Sequence, residues 1–398
     1  MKHIFILLAI LVLSSCKKDD NNLLVPVTHE LTVTYGSEFS NLPVQGATVK
    51  FVGTHQEYNV TTDANGKVQL TLLPDVYNII AGISLTPAEA KTITHEEKAT
   101  AFNGFIERLS INNQTALNST LALTQNNANN TLIIKQIYLG SPRNAANGLD
   151  QFIEIYNATD TPINLNGYAI ARNARNTTNK AFNWAQVTDK SNPNENYMYS
   201  QEIISFPSGY TIAPRKSILI ARDATNHKEA AQAEWKNRVP DLSKADFEAI
   251  NPPSFSGTVN DTDYPAPNMV SLWNGASGNA GMLNLYPSGD GLALIAATAT
   301  DITSWEKVAR PNSNGNGGTG NKIFVQIPAE RILDGVNIQT YQAGKTLLMQ
   351  LPQAVDAGFV RPTGNQNGSS FIRKYSNGIY KDTNNSTQDF EVIMIGDR

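Results

Sequence analysis

Strict alternation of apolar and polar residues is the commonest pattern along this chain. In residues 31–35 (Leu-Thr-Val-Thr-Tyr) and 47–51 (Ala-Thr-Val-Lys-Phe), every second side chain is apolar. Side chains of a β-strand point to opposite faces in turn, so these segments predict half-buried strands. Many such segments recur, separated by Gly, Asn and Pro, and the chain is therefore predicted to be all-β.

Residues 29–124 are predicted to form the first of two tandem β-sandwiches. Residues 60–70 are predicted to be a hairpin, because Asn65-Gly66 supplies the positive φ angles of a tight turn. The most distinctive segments, in order, are Gly46-Ala47-Thr48-Val49, Thr62-Asp63-Ala64-Asn65-Gly66-Lys67 and Leu73-Pro74-Asp75-Val76-Tyr77-Asn78-Ile79. This order resembles the prealbumin-like domains called carboxypeptidase regulatory-like. The resemblance implies a seven-stranded sandwich that serves as a spacer without catalysis.

A second sandwich is predicted over residues 131–398, after a polar linker at residues 125–130. Its distinctive segments, in order, are Phe152-Ile153-Glu154-Ile155-Tyr156-Asn157, Pro162-Ile163-Asn164-Leu165-Asn166-Gly167-Tyr168, Leu283-Asn284-Leu285-Tyr286 and Asp382-Thr383-Asn384-Asn385-Ser386-Thr387-Gln388-Asp389-Phe390. This series resembles a lamin-tail domain, which implies an Ig-like sandwich and says little about activity. The pairing of the two modules is similar to an uncharacterised family of Bacteroidetes lipoproteins.

The second unit is much longer than a lamin-tail domain requires. Long, partly helical insertions are therefore expected at about residues 171–205 and 223–281. Within the second range, helical spacing from Asp223 to about Trp235 predicts one short helix, and Ser243 is predicted to cap another. Loops of this length are uncommon unless they are functional or disordered.

The start of the chain predicts export and lipidation. Residues 4–13 are an uninterrupted apolar run of about ten residues, whereas a membrane-spanning helix needs roughly 20. Residues 1–15 are therefore predicted to be a signal peptide. The segment Leu13-Ser14-Ser15-Cys16 resembles the bacterial lipobox, which implies cleavage before Cys16 and attachment of diacylglycerol to its thiol.

Residues 16–28 are predicted to be a flexible, charged tether. The residues directly after the cysteine (Lys17, Lys18, Asp19 and Asp20) resemble the export signal of Bacteroidetes-type surface lipoproteins. The resemblance implies a protein held in the outer membrane by its lipid and facing the extracellular side. Retention on the periplasmic side is the alternative.

Composition narrows the possible chemistry. Cys16 is the only cysteine, so lipidation would leave no thiol for a disulfide, a thiolate nucleophile or a zinc site. Removal of residues 1–15 takes away one lysine and leaves a net charge of −5. This acidic balance argues against nucleic acid as a partner, because nucleic acid selects basic faces.

The sequence contains no recognisable catalytic constellation, and no cofactor is predicted. Asp261, Asp263 and Asp290 are weak candidates for calcium ligands, since calcium favours loop carboxylates. Three aromatic residues, Trp184, Tyr264 and Trp273, are candidates for ligand contact because they are predicted to lie in polar inserted loops. The alternative is that each ring covers the edge of the core beneath its own loop.

The favoured hypothesis is a non-enzymatic surface lipoprotein that binds an unknown small-molecule or polymer ligand. By analogy with Bacteroidetes uptake systems, it would capture this ligand for, or dock on, a TonB-dependent transport barrel. A second hypothesis is an accessory or cryptic hydrolase acting on glycans or nucleic acids, since lamin-tail domains accompany secreted nucleases. A third is a structural or adhesive component of the envelope.

Overall fold

The computed structural model describes residues 25–98, 100–114, 117–125, 131–146, 148–173, 193–249, 265–275, 283–311, 318–342, 349–376 and 378–395. Strands dominate these residues, and the prediction of an all-β protein is confirmed. The predicted signal peptide, Cys16, the charged residues after it, Trp184, Asp261, Asp263 and Tyr264 lie outside the described residues.

The first unit contains seven strands that pair only with one another. They are β1 (Val27–Tyr35), β2 (Thr48–Val52), β3 (Glu57–Thr61), β4 (Lys67–Leu72), β5 (Asp75–Leu85), β6 (Thr100–Ile111) and β7 (Asn118–Gln125). Their order is β3-β2-β5-β6-β7-β1-β4, with β1 parallel to β7. The inward-facing residues of the alternating strands, such as Leu31, Val49, Phe51 and Ile79, form one buried core.

The prediction of a hairpin over residues 60–70 is wrong, because its two strands, β3 and β4, do not pair with each other. Strand β3 pairs with β2 and strand β4 with β1, so the two strands lie at opposite ends of the strand order. The turn itself is present, because Asp63 Oδ1 accepts from the backbone of Asn65 and Lys67 (both 2.8 Å), and Gly66 has φ +71°. Pairing with β1 buries Leu72 in the core, and a local hairpin signal does not encode that choice.

The first unit also contains one helix that the alternating pattern does not indicate, α1 (Pro87–Thr94). Its start is a capping box, in which Thr86 and Glu89 each bond the backbone N–H of the other. Pro87 at the first helical position needs no N–H partner, which further favours a helix start here.

The second unit is assembled from three main sheets. The strands of the unit, four of which (β10 with β14, and β23 with β24) form two separate small sheets, are β8 (Leu132–Tyr138), β9 (Phe152–Asn157), β10 (Ile163–Asn164), β11 (Tyr168–Asn173), β12 (Tyr197–Ser200), β13 (Glu202–Ser205), β14 (Thr211–Ile212), β15 (Ser217–Ala221), β16 (Phe247–Glu248), β17 (Val270–Asn274), β18 (Asp290–Ala296), β19 (Lys307–Pro311), β20 (Gly318–Pro328), β21 (Ile332–Ile338), β22 (Ser369–Arg373), β23 (Tyr375–Ser376), β24 (Ile379–Tyr380) and β25 (Phe390–Met394). Short helices connect them: α2 (Arg143–Ala146), α3 (Pro193–Asn196), α4 (His227–Ala230), α5 (Ala299–Ser304) and α6 (Ser386–Asp389).

Two of these sheets form the sandwich. The outer sheet has the order β16-β15-β9-β8-β22-β25, and the middle sheet has the order β17-β13-β11-β18-β21. Their facing side chains, including Ile153, Ile155, Ile170, Leu292 and Phe371, form the main core of the unit.

A third sheet, β12-β20-β19, covers the other face of the middle sheet. Small residues on that face (Ala169, Ala171 and Ala293) pack with Val325 and Ile327 of β20. The middle sheet is therefore buried on both faces, which explains why β11 and β18 are apolar at successive positions and do not alternate. Strands within the expected insertions thus extend the sandwich and cover it.

The two helices predicted in the second insertion are largely replaced by other structure. The first is reduced to the four residues of α4, which is capped by Asn226. Where the second was expected, Phe247 begins β16, which pairs in parallel with β15. Phe247 is buried against the ring of Phe206 (centroids 5.3 Å apart), a contact distant in sequence that helical spacing cannot reveal.

The two sandwiches share a buried interface. Val52, Ile80 and Phe105 of the first unit pack with Met349 and Phe359 of the second. The backbone N–H of Met349 donates to Glu107 Oε1 (2.9 Å), and Asn103 bonds the carbonyl of Thr383. Apolar packing and paired polar groups together hold the two units against each other.

Candidate functional site

One end of the second sandwich carries several buried polar side chains, among them Arg172, Glu202, Arg222 and Asp290. Strands β8, β11 and β15 end there, and β9, β13 and β18 begin there. We call this end, with the segments that connect these strands, the loop end. At this end, polar residues of both the outer and the middle sheet lie where the strands meet the connecting segments.

Arg172, at the end of β11, forms the centre of a buried ion cluster. Its Nε lies 2.8 Å from Glu202 Oε2, and its Nη1 lies 3.2 Å from Asp290 Oδ2. All three side chains are at least nine-tenths buried. Glu202 Oε1 also accepts from the backbone N–H of Leu283 (3.2 Å), so the cluster ties β11, β13, β18 and the segment before β18 together.

Asp290 has a structural role at this position. Burial raises the pKa of its carboxyl to about 7, although Arg172 and the N–H of Gly291 act in the opposite direction. The guanidinium already neutralises the carboxylate where a calcium ion would otherwise do so. Calcium binding by Asp290 stays a prediction that this geometry does not favour. The described residues contain no group of three or more His, Cys, Asp and Glu side chains that could hold a metal ion.

A second arginine, Arg222, lies at the end of β15 in the opposite sheet. Its Nη1 donates to the carbonyl of Gly148 (2.8 Å) and to Asn284 Oδ1 (3.1 Å). Beside it, Gln151 donates to the carbonyls of Leu139 and Leu285 (2.9 and 2.7 Å). These bonds hold three connecting segments of the loop end in fixed positions.

Neither arginine was predicted from the sequence as a site residue, although a repeated tripeptide marks both. The same tripeptide, Ile-Ala-Arg, occurs at residues 170–172 and 220–222. In each case it ends a strand, once in the middle sheet and once in the outer sheet. A charged residue at the end of an apolar strand indicates that its side chain lies at the edge of the core.

Two histidines are buried among polar groups. His227 has its Nε2 2.9 Å from the carbonyl oxygen of Asp223. His29, in the first unit, is also buried, with Nε2 2.9 Å from Ser119 Oγ. Both rings satisfy local polar groups.

Trp273 does not lie in a loop, contrary to the sequence-based prediction. It is part of β17, an edge strand of the middle sheet, and its indole N–H donates to the carbonyl of Ile323 (3.2 Å). The ring is half-buried against the core between the middle and third sheets, and Lys307 Nζ lies 5.7 Å from its centroid. This placement corresponds to the alternative in which the ring covers the core. Ligand contact by Trp273 stays a prediction.

A second buried ion cluster lies far from the loop end. Arg373, at the end of β22, lies 2.5 Å from Asp334, 3.0 Å from Asp382 and 3.6 Å from Asp389. Its Nε donates to the carbonyl of Ile134 (2.8 Å). The terminal segment used for the lamin-tail resemblance therefore supplies two of three carboxylates around one guanidinium, which is a structural role.

These observations describe a two-sandwich protein whose second unit carries a polar, loop-bearing end. Residues 213–394, which include Arg222, Asp290 and Arg373, match the family described as "Protein of unknown function (DUF4876)". The chain resembles the crystal structure of a DUF4876 family protein from Bacteroides thetaiotaomicron VPI-5482, with 23% sequence identity and a TM-score of 0.52. The alignment covers 92% of this chain and 95% of that chain. This likeness shows the fold.

No curated protein matches the chain. The expectation of an uncharacterised Bacteroidetes family agrees with the two matches. The finer assignment of the units to prealbumin-like and lamin-tail-like families stays a prediction. Among the described residues, no helix is long and apolar enough to cross a membrane.

The buried carboxyl of Asp356 should make the free energy of unfolding depend on pH. It is buried and accepts from the backbone of Asn337 (2.7 Å) and from the backbone and hydroxyl of Ser386 (both 2.8 Å). Burial nevertheless raises its pKa to about 7, well above the unfolded value of about 3.9. Its contribution is therefore complete below about pH 4 and is lost as the pH rises through about 7.

We expect the titration of Asp356 to lower the free energy of unfolding by about 2–4 kcal/mol between pH 5 and pH 8, in addition to the effect of other buried carboxyls such as Asp290, as measured by chemical denaturation. Asp356→Asn removes the titrating group, so its pH dependence should be shallower even if the variant is less stable throughout. Identical pH profiles for the two proteins would contradict the assignment.

Proposed function

We propose that this protein is a non-enzymatic, lipid-anchored binding protein of the outer membrane that uses the loop end to contact its ligand or partner. The observation that carries the proposal is the pair of polar networks around Arg172 and Arg222. They fix the strand ends and connections in place, and rigid scaffolds that present loops are the usual basis of binding sites.

The position of the long connections supports this proposal. Residues 174–192 follow directly after Asn173, and residues 276–282 end directly before Leu283. Asn173 is buried and donates to Gln350 Oε1 (2.9 Å), and Leu283 donates to Glu202. Both connections therefore begin or end at well-anchored residues of the loop end. A partner in the form of an outer-membrane transport barrel agrees with the expected location.

Exchange of one connection tests the role of the loop end. Residues 175–191 would be replaced by eight Gly and Ser residues in the full-length protein, and partners would be captured from detergent-solubilised cells. We expect loss of the specific partner or ligand with an unchanged unfolding midpoint. A matched exchange of residues 113–116, in the first sandwich, should leave capture intact. Undiminished capture by the 175–191 variant would refute the proposal.

The anchor is tested separately. Labelled palmitate should be incorporated into the wild-type protein and not into Cys16→Ala, and protease added to whole cells should degrade the wild-type protein. Absence of the label would remove the lipid anchor from the proposal, and resistance to the protease would remove surface exposure.

A further inference from the structure

The two arginines of the Ile-Ala-Arg tripeptides, Arg172 and Arg222, differ in their ion-pair partners. Arg172 has two carboxylate partners, Glu202 and Asp290, and is fully neutralised. Arg222 is 6% exposed, and the carboxylates of Glu202 and Asp223 act on it only at a distance, without an ion pair to it among the described residues. An isolated buried charge is costly, so a folded protein normally pairs it.

The hydrogen bonds of Arg222 are also one-sided. Its bonds to Gly148, Gln151 and Asn284 all leave from Nη1. Its Nε is buried and has no hydrogen-bond partner. The side of the guanidinium that carries Nε is therefore the side without an acceptor.

We propose that Arg222 anchors a binding site for an oxyanion, the carboxylate or phosphate group of a small ligand. The inference rests on the proposed function and adds the class of ligand. A guanidinium presents paired N–H donors in a planar fork, and this fork matches the oxygens of a carboxylate or phosphate. Such a group would supply both the missing acceptor for Nε and the missing negative charge.

The surroundings agree with this assignment. Glu202 is already bonded to Arg172 and to the backbone of Leu283, so its carboxylate is engaged elsewhere. Burial lowers the pKa of Arg222 to about 10, although Tyr286, Glu202 and Asp223 act in the opposite direction. A bound anion would add to the second influence and stabilise the charged guanidinium.

Anion-dependent thermal stability of the full-length protein tests the site. Sodium phosphate, sodium acetate and sodium succinate would be titrated at constant ionic strength, with sodium chloride as the balancing salt. We expect at least one of these probes to raise the unfolding midpoint saturably, by about 3 °C at a hundred times its dissociation constant. Phosphate alone or the carboxylates alone would identify the ligand group.

Three variants assign the effect to Arg222. Arg222→Gln should lose the shift, and Arg222→Lys should weaken it at least about tenfold because an ammonium lacks the fork. Arg215→Gln, an exposed arginine paired with Asp160, should retain the wild-type response. If Arg222→Gln does not fold, Arg222→Lys decides the question because it keeps the charge.

Two results would overturn the proposal: no shift of the wild-type protein with any of the three salts, or an equal shift in the Arg222 variants. The exchange of residues 175–191 is independent of this outcome. Lost capture in that variant together with no anion effect would leave the binding function standing and remove the oxyanion site.

Discussion

Arg373→Leu is expected to lower the free energy of unfolding by about 3–5 kcal/mol. The side chain is 1% exposed and faces Asp334, Asp382 and Asp389. Leucine fills much of the volume but leaves three carboxylates buried without their cation. Chemical denaturation, followed by tryptophan fluorescence and by circular dichroism, measures the change.

Lys374→Leu is the matched control, because the next residue carries the same charge on an exposed side chain. Its substitution should change the free energy of unfolding by no more than about 0.5 kcal/mol. If the two variants were equally stable, the Arg373 cluster would not be a centre of the fold.

Arg172→Met should have an effect of similar size, about 3–5 kcal/mol, and a different location. It leaves Glu202 and Asp290 buried without a cation, at the junction of β11, β13 and β18. Hydrogen exchange should therefore quicken first around Leu283 and Gly291, whose N–H groups bond these carboxylates. Denaturation and exchange experiments on the same sample test both parts.

The control is Arg215→Met, which breaks an ion pair of the same type on the surface. Arg215 and Asp160 lie 2.9 Å apart but are 47% and 83% exposed, so solvent screens the pair and its loss should hardly change the free energy of unfolding. Losses of equal size in the two variants would mean that burial does not determine the importance of the Arg172 cluster.

Local patterns predicted the strands well and their partners poorly. Alternation identified β1 and β2, and the Asn65-Gly66 turn is real, yet β3 and β4 do not pair. The choice of partner depends on which strand offers apolar contacts across the sandwich, which is a property of the whole chain. The third sheet was missed for the same reason, since the burial of Ala169 and Ala293 depends on β20.

The candidate site shows a related limit. Aromatic residues were favoured because rings in polar segments often bind ligands, but Trp273 lies in a strand and packs on the core. Arg172 and Arg222 carry the polar networks of the loop end, and each one looks ordinary alone in the sequence. Their importance comes from burial and from partners up to 118 residues away in sequence, as for Arg172 and Asp290.

Val52 and Ile80 of the first sandwich pack on Met349 and Phe359 of the second. The second sandwich therefore depends on the surface of this particular first sandwich. A chimera that carried another sandwich of equal length would leave two large apolar side chains facing water. It would also leave the Met349 amide without Glu107. Removal of either sandwich would therefore expose apolar side chains of the other. A substitution on one side of this interface has to be compatible with the residues on the other side.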